Sequence, residues 1–251
     1  VKRLEVIGLE GLQEVVPGDS IASLISKACA REAISLRSGD VLVIAQKIVS
    51  KAEGKIVALD KVRPSARAVE LAAELGKDAR VLEVILSESR SIVRIGRGAI
   101  IVETHHGFVC ANAGVDLSNV GLGHVALLPA DPDRSAKDIR EELRRRHGVE
   151  LGVLVSDSFG RAWRLGTTEV AVGASGFKPI KDLRGQTDKY GYTLKGSVTA
   201  VADEIACAAE LVMGKTDGVP VALVRGCPVE PGEGTAQELI RPEAEDLFRG
   251  F

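Results

Sequence analysis

Residues 91–103 read SIVRIGRGAIIVE. Two apolar runs flank a Gly-Arg-Gly step, a spacing that predicts a β-hairpin around 92–103. A hairpin at that point favours antiparallel pairing and an α+β class over a strictly alternating parallel sheet. Working outward, apolar runs bounded by Gly, Asp and Pro predict strands at 3–8, 41–47, 98–103, 124–128, 151–156, 168–173 and 219–225. Helical periodicity falls at 19–32, 64–76, 133–147, 197–213 and 235–248. At 133–147, Ser135 and Asp138 have capping-box spacing, and RRRHG supplies a basic last turn with Gly148 as the stop. The loosest stretch, 174–196, reads ASGFKPIKDLRGQTDKYGYTLKG, a long functional loop or a crossing between domains.

The chain has 251 residues, 45% hydrophobic and 27% charged, with only 3% aromatic. That length can bury a large core, built here chiefly from Val, Ile, Leu and Ala. With 33 basic and 35 acidic residues the net charge is -2, which argues against a chain-wide nucleic-acid surface. Cys29, Cys110, Cys207 and Cys227 form no CxxC pair and read as reduced thiols. The start, VKRLEVIGLEGL, lacks the apolar run of a signal peptide. Stretches such as 41–45 are of strand length, far below a membrane span. A soluble, cytoplasmic protein with no membrane partner is expected.

Several motifs mislead. Met213-Gly214-Lys215-Thr216 has the ending of a P-loop, but position 209 is Ala and a helix precedes it, so Gly214 reads as a helix C-cap. Gly121-Leu122-Gly123-His124-Val125-Ala126 fits GxGxxA without a clear preceding strand, and Pro129 disfavours a following helix. His105-His106 lacks metal-ligand spacing and reads as structural. Carboxylates at the ends of apolar runs are more informative. Asp157 follows the run 151–156 and precedes Ser158, Arg161 and Arg164; oxygen donors of this kind suit Mg²⁺ or Mn²⁺, and the arginines suit anions. An Asp turn with surface Arg–Asp pairs fits the same residues. Asp116 and Asn119 lie among small residues that allow close ligand approach, or they cap a turn. If the strand continues from Val41, Lys47 and Lys51 share one face, as a phosphate site or as solvated edge lysines.

Five stretches together, GLEGLQEVVPGDS, QKIVSKAEGK, HGFVCANAGVDLSNVG, SDSFGRAWRLG and AELVMGKTDGVPVALVRG, resemble the coenzyme F420-0:gamma-glutamyl ligase family over nearly the whole chain. The resemblance implies a two-lobed α+β fold with mixed or antiparallel sheets, neither P-loop nor Rossmann, that forms homodimers. It implies an enzyme that uses GTP to add L-glutamate to F420-0, then further gamma-linked glutamates, with Mg²⁺ or Mn²⁺ and a response to K⁺. By motif, Asp116, Asp157 and Ser158 are the expected metal ligands. The expected GTP contacts are Leu12, Gln13, Glu14 and Val15, then Lys47, Ser50, Lys51 and Asn119. The closing loop is Met213, Gly214, Lys215, Thr216, Asp217, Gly218, Val219 and Pro220. The family pattern is broken at Gln13, where relatives carry Pro, and at Lys215, where an acidic residue is expected. A phosphate contact suits Lys215 better than a metal role.

A carboxylate couples to an amine only after activation, here as an acyl phosphate. Arg161 and Arg164 are the candidates to hold the phosphorylated carboxylate. The loop 174–196 is a candidate lid for anionic substrates, or a solvated connector. The lobes are expected at 1–83 plus 188–251, on the nucleotide side, and at 84–187, carrying the metal-binding Asp residues. A phosphotransferase acting on a small carboxylate and a non-enzymatic nucleotide-binding regulator are the competing readings.

Overall fold

The computed structural model describes residues 2–96 and 98–248. The strands are β1 (Glu5–Gly8), β2 (Val41–Ala45), β3 (Ile56–Ala58), β4 (Ser89–Gly96), β5 (Ala99–Thr104), β6 (Val109–Ala111), β7 (His124–Ala126), β8 (Gly152–Arg161), β9 (Arg164–Ser175), β10 (Ile180–Asp182), β11 (Val198–Ala200) and β12 (Val221–Arg225). The helices are α1 (Ile21–Arg31), α2 (Gln46–Ala52), α3 (Ala66–Leu75), α4 (Ala79–Ser87), α5 (Pro132–His147) and α6 (Val201–Met213).

Five strands form the main sheet in the order β1-β12-β2-β8-β9. Only β2 and β8 run parallel; the other pairs are antiparallel. Period-two alternation assigns its two faces. Leu42, Ile44, Val153, Val155, Val221 and Leu223 point to one core, beneath α1, α2 and α5. Val41, Val43, Leu154, Ala222 and Val224 point to the other, beneath α6. Strands buried on both faces explain the unbroken apolar runs of the sequence. A second body has its own core, drawn from residues 59–127, with α3 and α4 packed by the β4-β5-β6 sheet. The fold is therefore mixed α+β with several sheets, as the hairpin implied. The main sheet takes β1, β2 and β12 from the outer chain segments and β8 and β9 from within 84–187, so it spans both of the expected lobe segments.

The hairpin is β4–β5, with Ile95 opposite Ile100 and Gly96 opposite Ala99; Arg97 lies outside the described residues. Elsewhere local signals yield to packing. The strand expected at 41–47 ends at Ala45 and turns directly into α2. The one expected at 151–156 continues to Arg161, so Asp157 lies inside β8 rather than at its exit. A helix expected at 235–248 is two short 3-10 turns, Ala236–Leu239 and Glu243–Glu245; Pro242 between them has no N–H and disfavours helix at Arg241. Helix α4 falls on a stretch with no expected element. α5 starts one residue early, capped by Asp131 rather than by a box at Ser135, with Pro132 in its first turn. Ser135 instead donates to Glu53. Gly148 ends α5 at φ 67° and Gly214 ends α6 at φ 57°, both as expected.

One glycine is required for packing. A Cβ at Gly173 in β9 would stand 2.3 Å from the Pro132 carbonyl oxygen, a backbone atom in the first turn of α5. Gly173→Ala must push the helix off the sheet and is expected to cost about 1–3 kcal/mol or more. Gly160→Ala, with open space around it, is the neutral control. Urea denaturation of the two variants checks this, and equal midpoints would refute the packing argument.

Candidate active site

The parallel pair β2–β8 sets the site. Ala45 lies opposite Ser156, and beyond that point β2 becomes α2, while β9 carries an extra residue, Val172, opposite the step from Val155 to Ser156. The loop after α6 approaches from one side and Leu12–Val15 from another. Together they enclose a cavity of about 410 Å³.

Of the expected metal donors, Asp116, Asp157 and Ser158 all border this cavity. Asp116 receives Lys47 Nζ at 2.8 Å, and its Oδ1 accepts the Ser118 amide at 2.7 Å. Burial alone would raise its carboxyl; the bonds from Lys47 and Ser118 outweigh that and hold it below its ordinary value. Asp157 has the opposite balance. Burial, with Glu169 and Asp116 adding like charge, pushes its carboxyl up to about 7, against weaker help from the Ser158 amide and Lys47. Ser158 donates its hydroxyl to Glu169. Among the described residues no three His, Cys, Asp or Glu side chains stand arranged to hold a metal ion alone.

The expected nucleotide contacts divide. Leu12, Gln13, Glu14, Val15, Lys47, Lys51, Asn119, Met213, Gly214, Lys215, Thr216, Gly218, Val219 and Pro220 line the cavity. Lys47 and Lys51 share a face as i and i+4 of α2, not as strand neighbours. Lys51 pairs with Glu14. Asn119, at φ 59°, reaches the Lys215 carbonyl at 3.4 Å and ties two walls together. Ser50 is fully buried behind the wall, donating to the Leu127 carbonyl at 2.7 Å. Asp217 does not line the cavity, although its neighbours do. Arg161 and Arg164 lie at the solvent-exposed tip of the β8–β9 hairpin, with Arg161 bonded to the Leu165 carbonyl. No residue of 174–196 borders the cavity; β10 and β11 pair at the start of α6, whereas the cavity meets its end.

Four polar residues were not singled out from the sequence. Glu169 on β9 and Glu210 on α6 add carboxylates to the wall. Gln46 and Ser156 are 2% and 1% exposed, and among the described residues Gln46 Nε2 and Ser156 Oγ have no hydrogen-bond partner. Glu169 has a legible signal only in retrospect: it is an acid in the apolar strand run TTEVAVGAS, a costly place for a charge.

A family model described as F420-0:Gamma-glutamyl ligase matches residues 11–226. The chain belongs to this ligase family. It is 47% identical to the coenzyme F420:L-glutamate ligase of Methanothermobacter thermautotrophicus, over 98% of this chain and 99% of that one. With the protein of the same name from Methanopyrus kandleri the identity is 48%, over 98% and 97%. With that from Methanocaldococcus jannaschii it is 45%, over 99% and 98%. The family match takes in every wall of the cavity, from Leu12 to Pro220. No helix among the described residues of this family member is long and apolar enough to cross a membrane.

Proposed function

We propose that the protein is a GTP-dependent ligase that joins the amino group of L-glutamate to the terminal carboxylate of F420-0 through an acyl phosphate, releasing GDP and phosphate, and that it adds further gamma-linked glutamates. The observation that carries this reading is the convergence of Asp116, Asp157, Ser158, Lys47, Asn119 and the 213–220 loop on one cavity in a member of this ligase family. Working as a cytoplasmic homodimer with a response to K⁺ belongs to the same reading.

The donor chemistry fits a divalent cation. Two carboxylates and a hydroxyl are hard oxygen ligands, and the Asp157 carboxyl, raised by burial first and then by the like charges of Glu169 and Asp116, is one whose charge a cation would stabilise. Mg²⁺ is commonly held by one or two carboxylates with phosphate oxygens and water completing its shell. Asp116, Asp157 and Ser158 would hold Mg²⁺ or Mn²⁺, which would neutralise charge on the phosphates of GTP. Lys47, bonded to Asp116 and Ser118, lines the same cavity and would supply positive charge to a phosphate oxygen there. Lys51 and Lys215 add positive charge on two other walls. Arg161 and Arg164 do not reach their own cavity, so anchoring of the phosphorylated carboxylate falls to these lysines unless the hairpin tip meets another copy.

The test is phosphate release with GTP and Mn²⁺, with and without F420-0 and L-glutamate, alongside mass analysis of the acceptor. GDP and phosphate are expected only when both substrates are present, with one glutamate mass gained first. A phosphorylated acceptor that takes up no glutamate would instead favour a phosphotransferase, and binding without turnover a regulator. ATP in place of GTP tests the base preference.

Metal binding carries its own pH signature. Below about pH 7 Asp157 holds a proton that a cation must displace, and above it the carboxylate is already bare. The apparent Mn²⁺ affinity is therefore expected to weaken by up to about tenfold per pH unit below neutrality and to level off above it. Calorimetric titration between pH 5.5 and 8.5 (on the order of the window Asp157 dictates) checks this; a flat profile would remove Asp157 from the metal shell.

A further inference from the structure

At neutral pH the amino group of L-glutamate is an ammonium, and it must lose a proton before nitrogen can attack an acyl phosphate. Resting on the ligase reading above, we propose that Glu210 is the general base that takes this proton. In the step, one ammonium proton passes to the Glu210 carboxylate and the freed nitrogen pair forms the C–N bond. The carbonyl–oxygen bond to phosphate breaks, and phosphate leaves with that electron pair. A second nitrogen proton goes to the departing phosphate, giving hydrogen phosphate, and the third stays on the amide.

Three features single out Glu210. The other carboxylates of the wall are committed: Asp116 to Lys47 and Ser118, Glu169 to Ser158, and Glu14 to Lys51. Asp157 is assigned to the cation. No hydrogen bond or ion pair holds the Glu210 side chain among the described residues, and it borders the cavity. Second, Glu210 sits in the last turn of α6, which carries no basic residue there. The negative end of the helix dipole favours the protonated carboxyl and so improves its capacity as a base. Burial, with repulsion from Glu169 on β9 and Asp217 in the following loop, pushes the carboxyl the same way, while Lys215 opposes it. Third, the lining of the same cavity includes two buried polar groups without a hydrogen-bond partner among the described residues, Gln46 Nε2 on α2 and Ser156 Oγ on β8. Each is a donor suited to an anionic or carbonyl oxygen, and neither can accept an ammonium proton as a base. Carboxylate and donors together match a ligand that brings both an ammonium and oxygen acceptors, as an amino acid does.

The test compares two amines. Hydroxylamine is uncharged at neutral pH and reacts with acyl phosphates without a base. With GTP, Mn²⁺ and F420-0, Glu210→Gln is expected to lower turnover with L-glutamate by about 10²–10⁴-fold. Hydroxamate formation should stay at the wild-type rate, and Mn²⁺ affinity should not change. A second variant, Glu210→Ala, should regain glutamate turnover with added formate, which guards against a merely misfolded Gln variant. Glutamate turnover retained in both variants would overturn the proposal, as would loss of both amine reactions without rescue by formate. Weakened Mn²⁺ binding would overturn it too, by making Glu210 a metal ligand. Wild-type protein that forms no amide with either amine overturns the ligase reading itself, an outcome distinct from these.

Discussion

Replacing Asp157 by Asn is expected to abolish turnover and, in metal-free protein, to raise stability above neutral pH. The two effects share one cause. Asp157 lies in a partly buried wall with Glu169 and Asp116 nearby, and its carboxyl is pushed from 3.8 to about 7. The folded state thus holds a proton that the unfolded chain gives up. The stability linked to that proton is fully present below 3.8 and is lost as pH rises through about 7. Asn keeps the shape and removes the charge, so it removes the loss. With EDTA present, the melting temperature at pH 8 should rise by about 5 °C, since roughly 2–4 °C accompanies each kcal/mol in a chain of this size. Near the acid end of the window the variant and parent should melt together. On the proposed reading GDP formation should fall by at least about 10²–10³-fold, because the cation that this carboxylate would hold would supply several kcal/mol of charge stabilisation. An active Asn variant would sink the metal assignment. An equal melting shift at both pH values would show that Asp157 does not titrate near neutrality.

Arg225→Met is expected to be the most destabilising change far from the cavity. Arg225 ends β12 and grips Asp40 with two bonds, Nε to Oδ1 at 2.9 Å and Nη2 to Oδ2 at 2.8 Å. Nη2 also reaches the Ser35 carbonyl at 2.8 Å. Asp40 is 2% exposed and takes a further bond from the Arg37 amide. Methionine fills much of the space but leaves a buried carboxylate without its cation, which typically costs about 3–5 kcal/mol. Changing Asp40 to Asn as well should recover part of the loss, since the uncompensated charge is then gone. Urea midpoints for the single and double variants measure this. A single variant no less stable than the parent would show that the pair contributes nothing net.

Much of the site was legible in the sequence through runs whose chemistry is local. Asp157 and Ser158 follow a buried apolar run within β8, and Lys47 and Lys51 are four residues apart. That spacing places both on one side of either a strand or a helix, so the conclusion survived although the element was misjudged. The α2 start was not legible because no capping residue separates β2 from Gln46-Lys47, and Ile48-Val49 resume the apolar character at once; Ala45 makes no side-chain cap. Helix α4 was missed for a different reason. ARVLEVILS is apolar enough to read as strand, helix or neither, and packing in the second core fixes it.

The sequence by itself determined the mixed α+β class, the hairpin at 92–103, the buried runs of the main sheet, the glycine stops of α5 and α6, and the family. Each depends on neighbours in the chain: alternation, capping and motif order. The tertiary structure decided which of the separated residues meet. It brought Glu169 and Glu210 to the wall with Asp157 and left Ser50 behind it. It carried Arg161 and Arg164 out to the hairpin tip, and it placed the loop 174–196 at the far end of α6. Those outcomes depend on the register of β8 against β9 and on the direction of α6 across the sheet. Neither is encoded by any local pattern, because each is set by contacts between segments distant in the chain.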